Sequence, residues 1–128
     1  MADRRHYELV KFVRSRARQN FRTAVHYTGD DWEVIYRRDD LSDERSQRRS
    51  GGIVERVRER EPLREPDSPF GTFESCVELY EGGVFMVVKE SPTAGVVVSL
   101  EREAAQNLAG FVIACERVLD EDVDTIGR

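Results

Sequence analysis

Cysteine, histidine and long hydrophobic runs are the scarcest features of this 128-residue chain. Its two cysteines, Cys76 and Cys115, show no C-x-x-C or Cys/His spacing, so both are interpreted as reduced packing residues. Its two histidines, His6 and His26, are isolated in the sequence, which therefore predicts no metal site and no cofactor. No apolar run approaches the roughly 20 residues needed to span a bilayer, and Met1–Asn20 is too charged for a signal peptide. We therefore expect a cytoplasmic protein without a membrane segment.

Lysine is also rare, since the chain has 18 arginines but only Lys11 and Lys89, a ratio that suggests a GC-rich genome. The net charge of −5 is divided unevenly: residues 1–64 carry +4 and residues 65–128 carry −9. A basic half can attract nucleic acid or an acidic partner, whereas arginines that pair with nearby acids only solvate the surface. The sequence leaves both interpretations open for its candidate polyanion or partner contacts, which are Arg14, Arg16, Arg18, Arg22, Arg37, Arg38, Arg45, Arg48 and Arg49.

The length fits a single domain, 1–128. Its first part is predicted to form a helix followed by a hairpin. Asp3 is suited to cap a helix over Arg4–Arg18, with an apolar stripe that includes Phe12. Alternating apolar residues predict strands over Phe21–Tyr27 and Trp32–Arg37, joined by a tight turn. In this hairpin His26 is expected on the polar face, beside Trp32.

A charged segment, 39–70, follows the hairpin and is predicted to be loosely ordered. Ser42 or Asp43 can start one short helix there, and Gly51-Gly52 is expected to break or restart it. The apolar residues available to dock this helix are few, namely Ile53, Val54 and Val57.

The pattern of apolar residues in the second half of the chain predicts three strands and a long amphipathic helix. The run Val84–Val88 is apolar on consecutive positions, which predicts a central strand covered on both faces, with Phe85 and Val87 buried. The acidic tail 120–128 is expected to be mobile. The predicted elements are Thr72–Tyr80, Val84–Glu90, Val96–Leu100 and the helix Glu101–Leu119.

The predicted element order is α-β-β-α-β-β-β-α. Its commonest compact solution is an α+β fold, a five-stranded antiparallel sheet in which the two groups of strands meet side by side, with helices packed on it. In this order of elements the chain is similar in topology to roadblock, longin and profilin-like domains, and the resemblance implies the sheet order 2-1-5-4-3. That likeness implies a fold and no activity.

A second resemblance lies in the residues themselves. The segment 27–41, YTGDDWEVIYRRDDL, with the Cys76–Val88 strands and the Val98-Ser99-Leu100 entry into a helix bearing phenylalanine and cysteine, resembles a family of short, uncharacterised haloarchaeal proteins. The resemblance covers most of the chain and implies a haloarchaeal source but no activity. The central arginines depart from the strongly acidic pattern of such proteins, which leaves polyanion binding open.

An enzyme needs a nucleophile beside a base, paired carboxylates in a cleft, or metal ligands at workable spacing, and the sequence pattern offers none of these. The pairs Asp30-Asp31 and Asp39-Asp40 are more typical of turn and helix caps than of metal ligands. We therefore expect a non-enzymatic interaction, scaffold or regulatory adaptor domain that forms a homodimer and binds a protein partner through an edge strand or helix face. Nucleic-acid binding by an arginine-rich face is the alternative.

Overall fold

The computed structural model describes residues 2–60, 69–71, 75–107 and 118. Within these residues lie two α-helices and five strands: α1 (Arg4–Ala17), β1 (Phe21–Thr28), β2 (Asp31–Arg37), α2 (Asp43–Glu59), β3 (Ser75–Tyr80), β4 (Gly83–Ser91) and β5 (Ala94–Leu100). None of the helices in the described part of the chain is long and apolar enough to cross a membrane.

Some predictions fall outside the described residues. These are the acidic tail 120–128, the start of the strand predicted from Thr72, and most of the helix predicted over Glu101–Leu119. Where that helix was expected to begin, Arg102–Ala105 form a 3-10 turn instead of an α-helix.

The strands form one antiparallel sheet in the order β2-β1-β5-β4-β3, as the sequence predicted. Neighbouring residues of a strand point to opposite faces of the sheet, and both faces are covered. On one face Val98 of β5 packs in a cluster with Val10 and Val13 of α1. On the other face Val97 packs in a second cluster with Val54 of α2. Burying each such valine contributes roughly 1.5–3 kcal/mol to folding.

The middle strand of the sheet is β5, as in the predicted order, and β4 is interior, as predicted for the run Val84–Val88. Five consecutive residues of β5, Gly95–Ser99, are buried, because α1 and α2 cover the two faces of the sheet at its middle strand. The run Val84–Val88 lies beside it, between β5 and β3. Val87 is buried as expected, whereas Phe85 is only half-buried.

The prediction that Gly51-Gly52 breaks the middle helix is wrong. Helix α2 runs without interruption for 17 residues, and the Ser42 side chain caps it by accepting a hydrogen bond from the Arg45 N–H. Val54 is fully buried under it, so the helix is firmly docked. The prediction that segment 39–70 is loosely ordered stays a prediction.

Helix α1 begins as predicted, with the Asp3 side chain accepting a hydrogen bond from the Arg5 N–H, and it ends at Ala17, one residue early. Phe12, expected in the buried stripe, is exposed, and the Arg16 guanidinium lies 5.1 Å from the centre of its ring. The buried stripe instead continues towards the N-terminus through His6.

Candidate functional site

The arginines predicted as contacts lie at one end of the sheet but in separate layers. This is the end where α1 finishes and β1 starts, and where β2 finishes and α2 starts. Because α1 and α2 cover opposite faces, the sheet separates their arginines, and the nine residues do not form one flat surface. Arg14, Arg16 and Arg18 lie on the α1 side, Arg45, Arg48 and Arg49 on the α2 side, and Arg22, Arg37 and Arg38 at the strand ends between them.

The arginines at the strand ends are paired with acids. Glu101 Oε1 lies 3.1 Å from Arg22 Nη1 and 3.0 Å from Arg38 Nη2, and Arg38 Nε also donates to Asp40 at 2.5 Å. Arg37 pairs with the first residue of α2. Partial burial raises the pKa of Glu101, but the hydrogen bonds from the two arginines outweigh it and hold that pKa below its ordinary value. We infer that these arginines mainly hold the strand ends together.

Arg45 and Arg49 differ from the other arginines of α2. Arg48 pairs with Glu44 one turn away at 3.2 Å. No ion pair of Arg45 or Arg49 occurs among the described residues. No acidic residue stands three or four positions from either, and at a spacing of four they repel each other. Such an uncompensated pair is available for an anion.

Arg45 and Arg49 line a cavity of about 650 Å³ between the first half of α2 and the sheet, which we call the α2 cavity. Five small hydroxyl residues also line it: Thr23, Ser42, Ser46, Ser50 and Ser99. Half-buried Phe85 and Ile53 and the exposed Tyr80 add apolar surface. The volume lies in the range of small-molecule sites.

Two of the cavity hydroxyls have no hydrogen-bond partner among the described residues. Ser46 and Ser50 are only 8% and 3% exposed, yet their hydroxyl groups make no hydrogen bond there. Thr23 and Ser99 share a single hydrogen bond of 2.5 Å between their hydroxyl oxygens. Since no fully buried side-chain oxygen or nitrogen of the described residues lacks a partner, the Ser46 and Ser50 hydroxyls must still be reachable from the cavity. Nearly buried donors without partners are suited to bind a ligand.

The described lining residues supply binding groups but no catalytic pair. They include neither histidine nor cysteine, and none of the five hydroxyls is hydrogen-bonded to a base. Serine and threonine react as nucleophiles only when a neighbouring base activates them. Sequence reasoning found Arg22, Arg45 and Arg49 but missed the serines, whose four-residue spacing, Ser42, Ser46 and Ser50, marks one face of α2.

A second cluster joins His6, His26 and Glu90 at the opposite end of the sheet. His26 of β1 and Glu90 of β4 point to the α1 face, where His6 lies in the first turn of α1. Nε2 of His6 lies 2.6 Å from Glu90 Oε1, and Nε2 of His26 lies 3.7 Å from the same oxygen. The ring centres of the two histidines are 4.0 Å apart.

Both histidines of this cluster are buried, with exposures of 5% and 4%. Burial lowers the pKa of His26 below its ordinary value, and His6 adds to the shift, whereas the charge of Glu90 opposes it. The expectation that His26 lies on a polar face is therefore wrong, and the fold brings together a second histidine and a carboxylate that lie far from it in the sequence. The reason is that α1 covers this face and brings His6 against it.

The open edge of the sheet is a third feature. At one edge, the Arg58 guanidinium donates to the backbone oxygen of Asp31 at the start of β2. At the other edge, β3 presents Val77 and Tyr80, which are 49% and 52% exposed. Exposed apolar side chains on an edge strand favour pairing with another chain.

Comparisons with known proteins give a family and no activity. Residues 7–120 match a family described as "Domain of unknown function (DUF7522)". No curated protein and no solved structure matches the chain.

Proposed function

Since the chain belongs to the DUF7522 family, whose description names no activity, we propose a function from its own geometry. The protein is a non-enzymatic regulatory adaptor domain that binds a small phosphate ester in the α2 cavity. The observation that carries this proposal is the meeting of Arg45 and Arg49, which have no acidic partner, with the unpartnered hydroxyls of Ser46 and Ser50 in one cavity.

Phosphate fits this set of donors better than carboxylate does. A phosphate monoester carries close to two negative charges and three acceptor oxygens, whereas a carboxylate carries one charge and two oxygens. The two guanidinium groups and the two unpartnered hydroxyls can match the two charges and three acceptor oxygens of the phosphate monoester. The cavity exceeds the size of a phosphate ion, so the organic part of the ester is expected to lie against Phe85 and Tyr80.

The test is isothermal titration with adenosine 5′-monophosphate, adenosine and inorganic phosphate as probes. We expect the monophosphate to bind with a Kd of about 1 mM or tighter, and adenosine to bind more weakly. The double variant Arg45→Gln/Arg49→Gln should bind the monophosphate about tenfold or more weakly, because the charged hydrogen bonds from both guanidinium groups to the phosphate are lost.

The matched control for this titration is Arg48→Gln, which removes a neighbouring arginine that pairs with Glu44 and does not line the cavity. Its affinity should equal that of the parent protein. The proposal fails if adenosine binds as tightly as its monophosphate, if none of the probes binds, or if the control loses as much affinity as the double variant.

We further propose that the adaptor is a homodimer in which the β3 strands of two copies pair edge to edge. Support comes from Val77 and Tyr80, which are half-exposed on this edge. Tyr80 also lines the α2 cavity, so a bound ligand would touch the dimer edge. This link would allow the ligand to regulate assembly.

Sedimentation over a range of protein concentrations tests the dimer. Val77→Lys should shift the equilibrium towards the 14.8 kDa monomer, whereas Phe12→Lys, at another exposed apolar residue, in α1, should not. A parent protein that stays monomeric at all concentrations, or equal effects of the two variants, would contradict edge pairing.

We also propose that the protein is cytoplasmic and comes from a haloarchaeon. The free thiol of Cys76 supports a reducing compartment, and the lysine-poor, acidic composition supports the source.

A further inference from the structure

We propose that His6, His26 and Glu90 form a binding site for a divalent first-row transition-metal ion, with Zn²⁺ as the best match. The site lies on the α1 face of the sheet, opposite the α2 cavity, so the proposal does not depend on phosphate-ester binding. It rests on the donor atoms, their separations and the groups that hold them.

The donor set consists of two imidazole nitrogens and one carboxylate oxygen. All three ligand atoms lie within 4.8 Å of one another, and within the described residues this is the group with donors close enough to hold a metal. Zinc bonds of about 2.0–2.2 Å place neighbouring ligands roughly 3.3–3.5 Å apart in a tetrahedron. The separations of 2.6 and 3.7 Å from Glu90 Oε1 bracket that value. Nitrogen-rich sets of this kind favour zinc and its neighbours over magnesium or calcium.

The backbone gives each donor a fixed position. His26 lies opposite Val96 of β5, and Val96 lies opposite Val88 of β4, so these positions share the α1 face. Glu90 follows Val88 by two residues at an irregularity in the pairing of β4 with β5. His6 completes the set from the first turn of α1, one helical turn before Val10.

Outer groups orient the donors as they do in metal sites. The Arg5 guanidinium binds Glu90 Oε2 at 3.0 Å and leaves Oε1 directed at the two rings. The Asp3 carboxylate lies 3.2 Å from His6 Nδ1, the ring nitrogen that does not face the cluster. A carboxylate behind a ligating histidine is a common outer partner, because it fixes the ring and increases its basicity.

The proton of His6 must move when a metal binds. The Asp3 backbone N–H donates to His6 Nδ1 at 2.8 Å, so a neutral ring carries its proton on Nε2 and donates it to Glu90 Oε1. A metal takes the Nε2 lone pair, and the ring then holds its proton on Nδ1, where the Asp3 carboxylate can accept it. The ring keeps one proton throughout. The Asp3 N–H loses its acceptor, so metal binding should perturb the start of α1.

Titration of the metal-free protein with Zn²⁺, and with Co²⁺ as a spectroscopic probe, tests the site. We expect one ion per chain, a visible Co²⁺ absorption typical of nitrogen and oxygen ligands, and a melting temperature that rises with Zn²⁺ concentration. The Asp3 amide resonance should shift on binding, which a metal on a distant surface group would not cause.

Variants distinguish this site from carboxylates elsewhere in the chain. Glu90→Gln keeps an oxygen that accepts the His6 hydrogen bond but removes the anionic ligand, and it should weaken Zn²⁺ binding at least about tenfold. His26→Asn should do the same. The control Asp30→Asn/Asp31→Asn removes an exposed carboxylate pair and should leave the affinity unchanged.

Two results would overturn the metal proposal. If the parent protein binds no Zn²⁺ while Glu90→Gln unfolds more easily, the three groups form a hydrogen-bonded structural cluster only, and the metal proposal is overturned. Equal Zn²⁺ affinity of the parent, Glu90→Gln and His26→Asn would also overturn it.

Discussion

The indole of Trp32 on β2 packs against Gly51 in the middle of α2. A Cβ atom built on Gly51 would lie 3.1 Å from Cζ2 of Trp32, closer than a side chain normally approaches. The missing Cβ thus lets α2 lie close to the hairpin. Its neighbour Gly52 faces open space, where a Cβ would meet nothing within 4 Å.

The first prediction follows from this difference between the two glycines. Gly52→Ala should stabilise the protein by about 0.5–1 kcal/mol, because alanine loses less backbone entropy than glycine in a helix. Gly51→Ala has the same helical gain but must displace Trp32, so it should stabilise less or destabilise. Urea unfolding of both variants checks this, and a gain at Gly51 equal to that at Gly52 would contradict the packing role.

The two glycines show why the sequence predicted the sheet and a middle helix but not the unbroken length of α2. Alternating apolar residues indicate a strand from its own local pattern, so the strands could be predicted, and the likeness in topology to known domains implied their order. The two glycines have an equally low helix propensity, and nothing near Gly51 in the sequence shows that Trp32 packs on it. Tertiary packing overrides local propensity here.

The second prediction concerns the most protected backbone. Amides of Val96–Ser99 should exchange with solvent most slowly, because β5 is paired on both sides and buried on both faces. Amides of Ser42–Arg49 at the start of α2 should exchange faster. Hydrogen exchange measured by NMR provides the comparison, and equal rates in the two segments would show that the core is assigned wrongly.

The third prediction concerns stability at acid pH. The pKa of Glu101 is held below its ordinary value of 4.5 in the folded protein, so its ion pairs stabilise the fold above about that pH. As pH falls from 4.5 through the lowered folded pKa, the carboxylate takes up a proton and this stabilisation is lost.

Glu101→Gln should therefore destabilise the protein at neutral pH by up to about 1 kcal/mol, and the difference from the parent should shrink below pH 4.5. Unfolding curves across the acid range measure this difference. The exposed neighbour Glu103 offers a matched variant, Glu103→Gln, which should change little. A difference that stays constant with pH would rule out the ion-pair explanation.

The candidate sites show where sequence reasoning stops. The arginines stand out from composition alone, but their division into two layers depends on which face each helix covers. His6 and Glu90 are 84 residues apart, and no spacing in the sequence predicts their contact. The one signal in the sequence was the position of His6, which continues the buried stripe of Val10 and Val13 on α1. A histidine buried in such a stripe needs a polar partner, because buried polar groups are hydrogen-bonded.

The last prediction is that the arginine end does not bind nucleic acid. The sheet separates the arginines of α1 from those of α2, and the strand-end arginines are paired with acids such as Glu101. Arg14 lies over the Tyr36 ring, with 5.5 Å between the guanidinium carbon and the ring centre. Residues 65–128 add a charge of −9 that repels a polyanion.

The check is a salt titration with duplex DNA and structured RNA, since each neutralised phosphate contributes about −0.9 to the log–log slope for duplex DNA. We expect no micromolar binding at physiological salt. The variant Arg14→Glu/Arg16→Glu/Arg18→Glu reverses the charge on the α1 side, and Arg45→Gln/Arg49→Gln removes it from the cavity. Tight binding that only the first variant abolishes would favour a nucleic-acid-binding protein. Loss only in the second would place the phosphate contacts in the α2 cavity, since Arg45 and Arg49 are the arginines there without acidic partners among the described residues.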